Sequence, residues 1–202
     1  TYYLEQQRAL EMLTGVLQSR QEKAAAEQAQ RRPALWDFRP ASRAQVFMAP
    51  PRASQPLLGR EQLIEALKHS LSDRHTARAA ALHGLPGSGK TSLAVELAYD
   101  PAVRKEFEDG VLWAGLGQHP NLPALMGAWA AELGIPADAA ANRSGLEERA
   151  ALIRAAIGLR RFLIVIDDAW QIDAAFGLKA GGPNCAYLLT TRHASLAVEF
   201  AG

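Results

Sequence analysis

The residues best suited to chemistry are Gly84-Leu-Pro-Gly-Ser-Gly-Lys90-Thr91, which match the pattern G-x-x-x-x-G-K-[ST] in full. A polyphosphate crowds several negative charges together, so a site for it needs several converging donors. Backbone N–H groups at a helix start supply them without side-chain bulk. Gly84, Gly87 and Gly89 let the chain wrap closely, and Pro86, Ser88 and Ser92 complete the expected phosphate-binding set. Lys90 is expected to reach the β and γ phosphates as a point charge, and the Thr91 hydroxyl to ligate Mg²⁺. The plain alternative is a glycine-rich turn with Lys90 in solvent. The complete match, set between an apolar run and a helical one, favours the phosphate reading.

A phosphate loop needs a carboxylate for its metal, and Arg161-Phe-Leu-Ile-Val-Ile-Asp167-Asp168 offers one at the end of an apolar run. Such a strand delivers Asp167 to the carboxyl edge of an open sheet, where ligands collect. Asp167 is expected to hold Mg²⁺ through water. Asp168 either orients and deprotonates an attacking water or caps the helix that follows. His69, His75, His83, His119 and His193 show no metal-ligand spacing.

Elements must exist to position these groups. Apolar runs at Ala79 to His83, Gly110 to Leu116, Phe162 to Ile166 and Ala186 to Thr190 read as strands, the last two buried on both faces. Helical spacing recurs around them: Arg60 to about Leu71, Lys90 to Tyr99, Leu122 to Leu133 and Leu146 to Leu159, with another short helix ahead of Ala186. This alternation predicts an α/β fold, a parallel sheet of four core strands with helices on both faces. Upstream, residues 1–32 place Leu10, Leu13 and Leu17 on one stripe and predict an amphipathic helix. Residues 33–56 carry five prolines and follow no period, which predicts an extended linker, with Val46 and Phe47 among the residues draped over the core. The expected nucleotide-binding domain spans 57–202 and is incomplete at its C-terminus.

Length and composition agree with this. The 202 residues, 49% hydrophobic and 21% charged, suit one well-filled domain with an appendage. A net charge of +1 gives no broad electrostatic footprint for nucleic acid or an anionic membrane. No apolar run is long enough to span a bilayer, and the single Cys185 predicts a reducing, cytoplasmic setting. The first residue is Thr1, which suggests a piece of something longer.

Further segments fall into order around these motifs: Leu57-Leu-Gly-Arg-Glu61, Gly110-Val-Leu-Trp113, Leu163-Ile-Val-Ile-Asp-Asp-Ala-Trp170 and Leu188-Leu-Thr-Thr-Arg192. From about Leu57 to Gly202 the chain resembles the NB-ARC subgroup of the STAND nucleotide switches, which includes apoptosome scaffolds, plant resistance receptors and bacterial signalling proteins. The resemblance implies that the backbone at Leu58, Gly59 and Arg60 receives adenine, the alternative being a plain helix start. It implies that Arg192 reaches toward the terminal phosphate, against the alternative of a solvated arginine at a strand end. It also implies that the strand ending at Thr191 lies between the phosphate-loop strand and the Asp167 strand. Family members add a fifth strand, a helical module and a winged-helix module after the position of Gly202. An open, wet site and an exposed edge on the phosphate-loop strand are therefore expected, with residues 1–56 as candidates to cover that edge. Trp113, Trp129 and Trp170 are expected to pack rather than to touch ligand.

The implied function is a molecular switch binding ATP or ADP with Mg²⁺, resting with ADP and opening on exchange for ATP. The open form would self-associate and gather effector domains lying upstream. Lys90, Asp168 and Arg192 would carry a slow, resetting hydrolysis. Two other readings stand beside it: a turnover ATPase or phosphotransferase, and an interaction module that keeps the loop without using it. Complete Lys90, Thr91 and Asp167 weigh against the last.

Overall fold

Five strands form one parallel sheet in the computed structural model, which describes residues 45–54, 57–73, 78–141 and 145–201. In chain order the strands are β1 (Val46–Phe47), β2 (Ala79–His83), β3 (Gly110–Gly117), β4 (Phe162–Ala169) and β5 (Ala186–Thr191). The helices are α1 (Glu61–Ser72), α2 (Lys90–Tyr99), α3 (Pro101–Glu106), α4 (Leu122–Glu132), α5 (Ala137–Ala141), α6 (Leu146–Ile157), α7 (Ile172–Gly177) and α8 (Ala194–Ala201). The spatial order is β1-β3-β4-β5-β2, so β5 lies between the phosphate-loop strand and the Asp167 strand, as expected. The N-terminal helix predicted over 1–32 lies outside the described residues, as does the linker up to residue 44.

The central strands show why continuous apolar runs were needed. Along β4, Phe162, Ile164 and Ile166 enter one core with Trp129, Met126, Ile153 and Phe200, while Leu163 and Val165 enter a second with Leu71, Leu93 and Leu97. Successive side chains point to opposite faces of a strand, so both must be apolar when helices cover both. Helices α1, α2 and α3 supply the second core, and α4, α6, α7 and α8 the first. Trp129 is fully buried and donates its indole N–H to the Trp113 carbonyl at 2.9 Å, the packing role expected of it.

The strand count corrects one expectation. The fifth strand comes from residues read as linker, and it joins the β3 edge rather than the exposed edge of β2. Val46 pairs with Gly110 and Phe47 with Val111, the Val46 amide donating to Asp109 at 3.1 Å and the Met48 amide to Val111 at 3.0 Å. Gly110, at φ +128°, admits this approach, since a Cβ there would overlap the Val46 carbonyl. Three short helices, α3, α5 and α8, also escaped the periodicity, being 6, 5 and 8 residues long. Asp100 starts α3 by accepting from the amides of Ala102 and Val103.

At the sheet end remote from the phosphate loop, Glu106 accepts from Arg78 at 2.8 Å and from Arg161 at 2.6 Å, tying the entries of β2 and β4 to α3. Burial opposes its ionisation, yet the Arg161 and Arg78 guanidiniums hold the carboxyl below its ordinary value of 4.5. A depressed carboxyl adds stability above its unfolded value and loses it as pH falls through the folded one. Glu106→Gln is therefore expected to cost roughly 1–3 kcal/mol at neutral pH. The gap between the two melting temperatures should close as pH is lowered past the depressed value; a gap constant down to strongly acidic pH would contradict this.

Candidate functional site

The loop between β2 and α2 is a chain of left-handed turns. Gly87 and Gly89 have φ of +75° and +86°, a region that costs little only for residues without a Cβ. Gly89 is the N-cap of α2, so the helix starts at Lys90 with no side chain capping its first amides. Those free N–H groups, at the positive end of the helix dipole, form a seat for anionic oxygen. Lys90 folds back over the loop, its ammonium donating to the carbonyls of Gly84 and Leu85 at 2.9 Å each.

Across the sheet, β4 presents Asp167 beside the helix start. The Thr91 hydroxyl donates to its carboxylate at 2.9 Å, and the Thr190 hydroxyl at 2.6 Å. Asp167 is 9% exposed, so a charge is held in the protein wall by two hydroxyls and no cation among them. A hydroxyl paired with a carboxylate beside a phosphate seat suits a Mg²⁺ shell. Among the described residues no three His, Cys, Asp or Glu are grouped to hold an ion alone, so phosphate and water would complete that shell.

Asp168 and Arg192 also converge here. The ladder between β4 and β5 is irregular from Ile166 to Ala169, and Asp168 takes φ +52°, uncommon for a residue with a side chain. Its amide donates to the Thr190 hydroxyl at 2.9 Å, which fixes this kink. Its Oδ1 lies 3.5 Å from Arg192 Nε and its Oδ2 accepts from the Trp170 indole at 3.2 Å. The Arg192 guanidinium stacks 4.9 Å from the Trp170 ring centre. The helix-capping alternative for Asp168 is not realised, since α7 begins after Gln171 with no side-chain cap. Trp170, expected only to pack, joins this polar group at the rim.

Pro86, Gly87, Gly89, Lys90, Thr91, Ser92, Asp167, Asp168, Thr190 and Arg192 line one cleft of about 410 Å³. A second cavity, of about 400 Å³, shares Thr91 and Ser92 with it. Its α2 side adds Val95 and Glu96; its other side is Pro50, Pro51, Ala53 and Leu57. The first is polar and the second largely apolar, as the two halves of a nucleotide require.

Beside the backbone expected to receive adenine, the Leu58 side chain is 82% exposed and the Leu57 side chain lines the second cavity. Gly59 is bonded through its amide to Glu61 at 3.2 Å. Arg60 donates to the Ser88 carbonyl at 3.4 Å and, with Gly84 and Ser88, borders a separate hollow of about 150 Å³. Sequence reasoning missed Thr190 and the cavity wall of Pro50, Pro51, Ala53 and Leu57. A hydroxyl at the carboxyl end of a buried strand beside the Asp167 strand was a usable signal for Thr190; the Pro-rich wall carried none.

The parallel sheet, the glycine loop at a helix start and the carboxylate on the adjacent strand end define a P-loop nucleoside-triphosphatase fold. Within that class the chain belongs to the NB-ARC domain family, whose model matches residues 60–202. It is 40% identical over 117 residues to the regulatory protein AfsR of Streptomyces coelicolor, covering 56% of this chain and 11% of that protein. It is 32% identical over 157 residues to a late blight resistance protein homolog of Solanum demissum, covering 73% of this chain and 19% of that one. The chain thus spans no more than about a fifth of the length of these relatives. Cdc6p from Pyrobaculum aerophilum shares the fold, with a TM-score of 0.50, 22% identity and coverage of 74% of this chain and 42% of that one. Among the described residues no helix is long and apolar enough to cross a membrane.

Proposed function

We propose that the chain is the nucleotide-sensing core of a molecular switch that binds ADP and ATP with Mg²⁺ and hydrolyses ATP slowly. The observation that carries this reading is the convergence of Lys90, Thr91, Asp167 and Arg192 on one cleft, with Arg192 held at its rim by Asp168 and Trp170. The amides of Gly87 to Lys90 bind the phosphate oxygens, and Lys90 exchanges its carbonyl partners for them. Thr91 and Asp167 hold the Mg²⁺, which neutralises phosphate charge. The nucleoside half lies against Leu57 and Val95. Arg192, whose only ionic partner recorded among the described residues is Asp168, turns to a terminal phosphate when one is present.

That exchange makes the two nucleotides unequal. ATP breaks the Arg192–Asp168 pair and ADP leaves it, so each favours a different arrangement of the carboxyl edge; a ligand that bound both arrangements equally would shift nothing. Slow hydrolysis accords with the contact that remains: with Arg192 turned to the phosphate, Asp168, the candidate base, still has its other oxygen on the Trp170 indole, which holds the carboxylate back from an attacking water. The open form self-associates and draws upstream effector segments together. A cytoplasmic setting accords with the single thiol, Cys185, which is buried and pushed above its ordinary value by that burial.

The test is nucleotide content and turnover. Purified protein should carry ADP and turn over far below the roughly 1–100 s⁻¹ of kinases; rapid multiple turnover would instead support an ATPase or phosphotransferase. Arg192→Ala should lower the ATP-to-ADP affinity ratio about tenfold, the size of one charge-assisted hydrogen bond. An unchanged ratio would remove Arg192 from the sensing role.

A further inference from the structure

We infer that the Arg52–Glu96 ion pair is a positioning clamp that holds the strap Pro50–Ala53 as the outer wall of the nucleoside cavity and thereby sets the affinity for the base. This inference rests on the reading that the cavity beside Thr91 and Ser92 takes the nucleoside half of an adenine nucleotide.

Three observations carry it. First, the strap faces Val95 and Glu96 of α2 across the cavity, so half of the wall is made by residues that precede the matched family domain, which begins at residue 60. The cavity is incomplete without a segment that lies outside the matched residues. Second, the strap has little else to hold it. Its last ladder bond is from the Met48 amide to Val111, and Pro50 and Pro51 have no N–H to give. Between Ala49 and Ser54, the polar contacts recorded among the described residues are those of Arg52 with Glu96. Third, the pair has the geometry of a clamp rather than of a passing surface contact. Arg52 Nε reaches both carboxylate oxygens of Glu96, at 2.9 and 2.8 Å, and Nη2 closes on the second. The planar guanidinium fixes direction as well as distance. The Glu96 side chain is 10% exposed and that of Arg52 56%, so the carboxylate is the sheltered partner and the guanidinium closes over it from the solvent side.

The physical effect is preorganisation. A wall already in place need not be ordered when the ligand arrives, so the cost of binding falls. Base contacts are made to the strap and phosphate contacts to the loop, and the two halves of the ligand can be tested apart.

The experiment measures binding of Mg·ADP and of Mg·tripolyphosphate, which has no base, by calorimetry on the wild-type chain, Arg52→Gln, Glu96→Gln and the exchanged pair Arg52→Glu with Glu96→Arg. Each single variant should weaken Mg·ADP about tenfold, through the lost preorganisation, and leave tripolyphosphate unchanged. The exchanged pair should recover most of the ADP affinity. Equal weakening of both ligands would mean that the pair supports the phosphate loop, and unchanged ADP affinity that the strap needs no clamp; either result overturns the inference, as does an exchanged pair no better than the single variants. A wild-type chain that binds neither ligand would overturn the reading of the site itself.

Discussion

Replacing Lys90 with alanine is expected to weaken Mg·ADP and Mg·ATP by about a hundredfold or more, since it removes the one mobile cation of the phosphate loop. In the structure the ammonium already lies over the loop, bonded to the carbonyls of Gly84 and Leu85. These are neutral acceptors, and phosphate oxygens are stronger ones, so the side chain needs only a small swing to change partners. Loss of the two carbonyl bonds also loosens the loop, and a melting curve separates that effect: the variant should stay folded with at most a small drop in stability. Lys90→Arg should rescue poorly, because a broad planar guanidinium does not replace a compact ammonium inside a loop closed by glycines. Calorimetric affinity equal to wild type in Lys90→Ala would falsify the assignment of this loop to phosphate.

Asp167→Asn tests the cation half of the site and has a different signature. Asp167 accepts from Thr91 and Thr190 while almost fully buried, and no basic side chain is recorded against it among the described residues. Asparagine keeps the shape and one acceptor but removes the charge. Nucleotide affinity measured in a chelator should therefore barely change. The gain that Mg²⁺ brings should fall by about 10–100-fold, the usual loss when an outer-sphere carboxylate is removed. The ligand-free variant should be close to wild type in stability, because asparagine keeps an acceptor for the Thr91 and Thr190 hydroxyls. If Mg²⁺ improves binding as much in the variant as in wild type, the metal is held elsewhere.

Much of this architecture was legible in the residues. The phosphate loop is a local object: its glycines dictate left-handed turns and its lysine and threonine follow at fixed offsets. The buried strands were equally plain, because β4 and β5 lie under helices on both faces and cannot hide polar residues in mid-strand. Helices α1, α2, α4 and α6 carry their period within 10 to 12 residues, enough turns to repeat a stripe. Helices α3, α5 and α8 are too short to do so. The placement of β5 between β2 and β4 was available through the family resemblance rather than through any pattern in the chain.

What the sequence determined by itself, then, is the set of conformations each segment can take and the groups it can offer: a glycine loop, an aspartate at a strand end, an arginine after another. The tertiary structure alone decided which of those groups meet. Thr91 and Asp167 are 76 positions apart and Arg52 and Glu96 are 44 apart. Their encounter depends on sheet order, register and the pairing of β1 with the β3 edge. Val46 and Phe47 form a strand because Asp109 and Val111 present unpaired backbone groups, and not because of any period of their own. Likewise Leu57 lines the cavity while its neighbour Leu58 is 82% exposed, a difference that two adjacent leucines do not forecast.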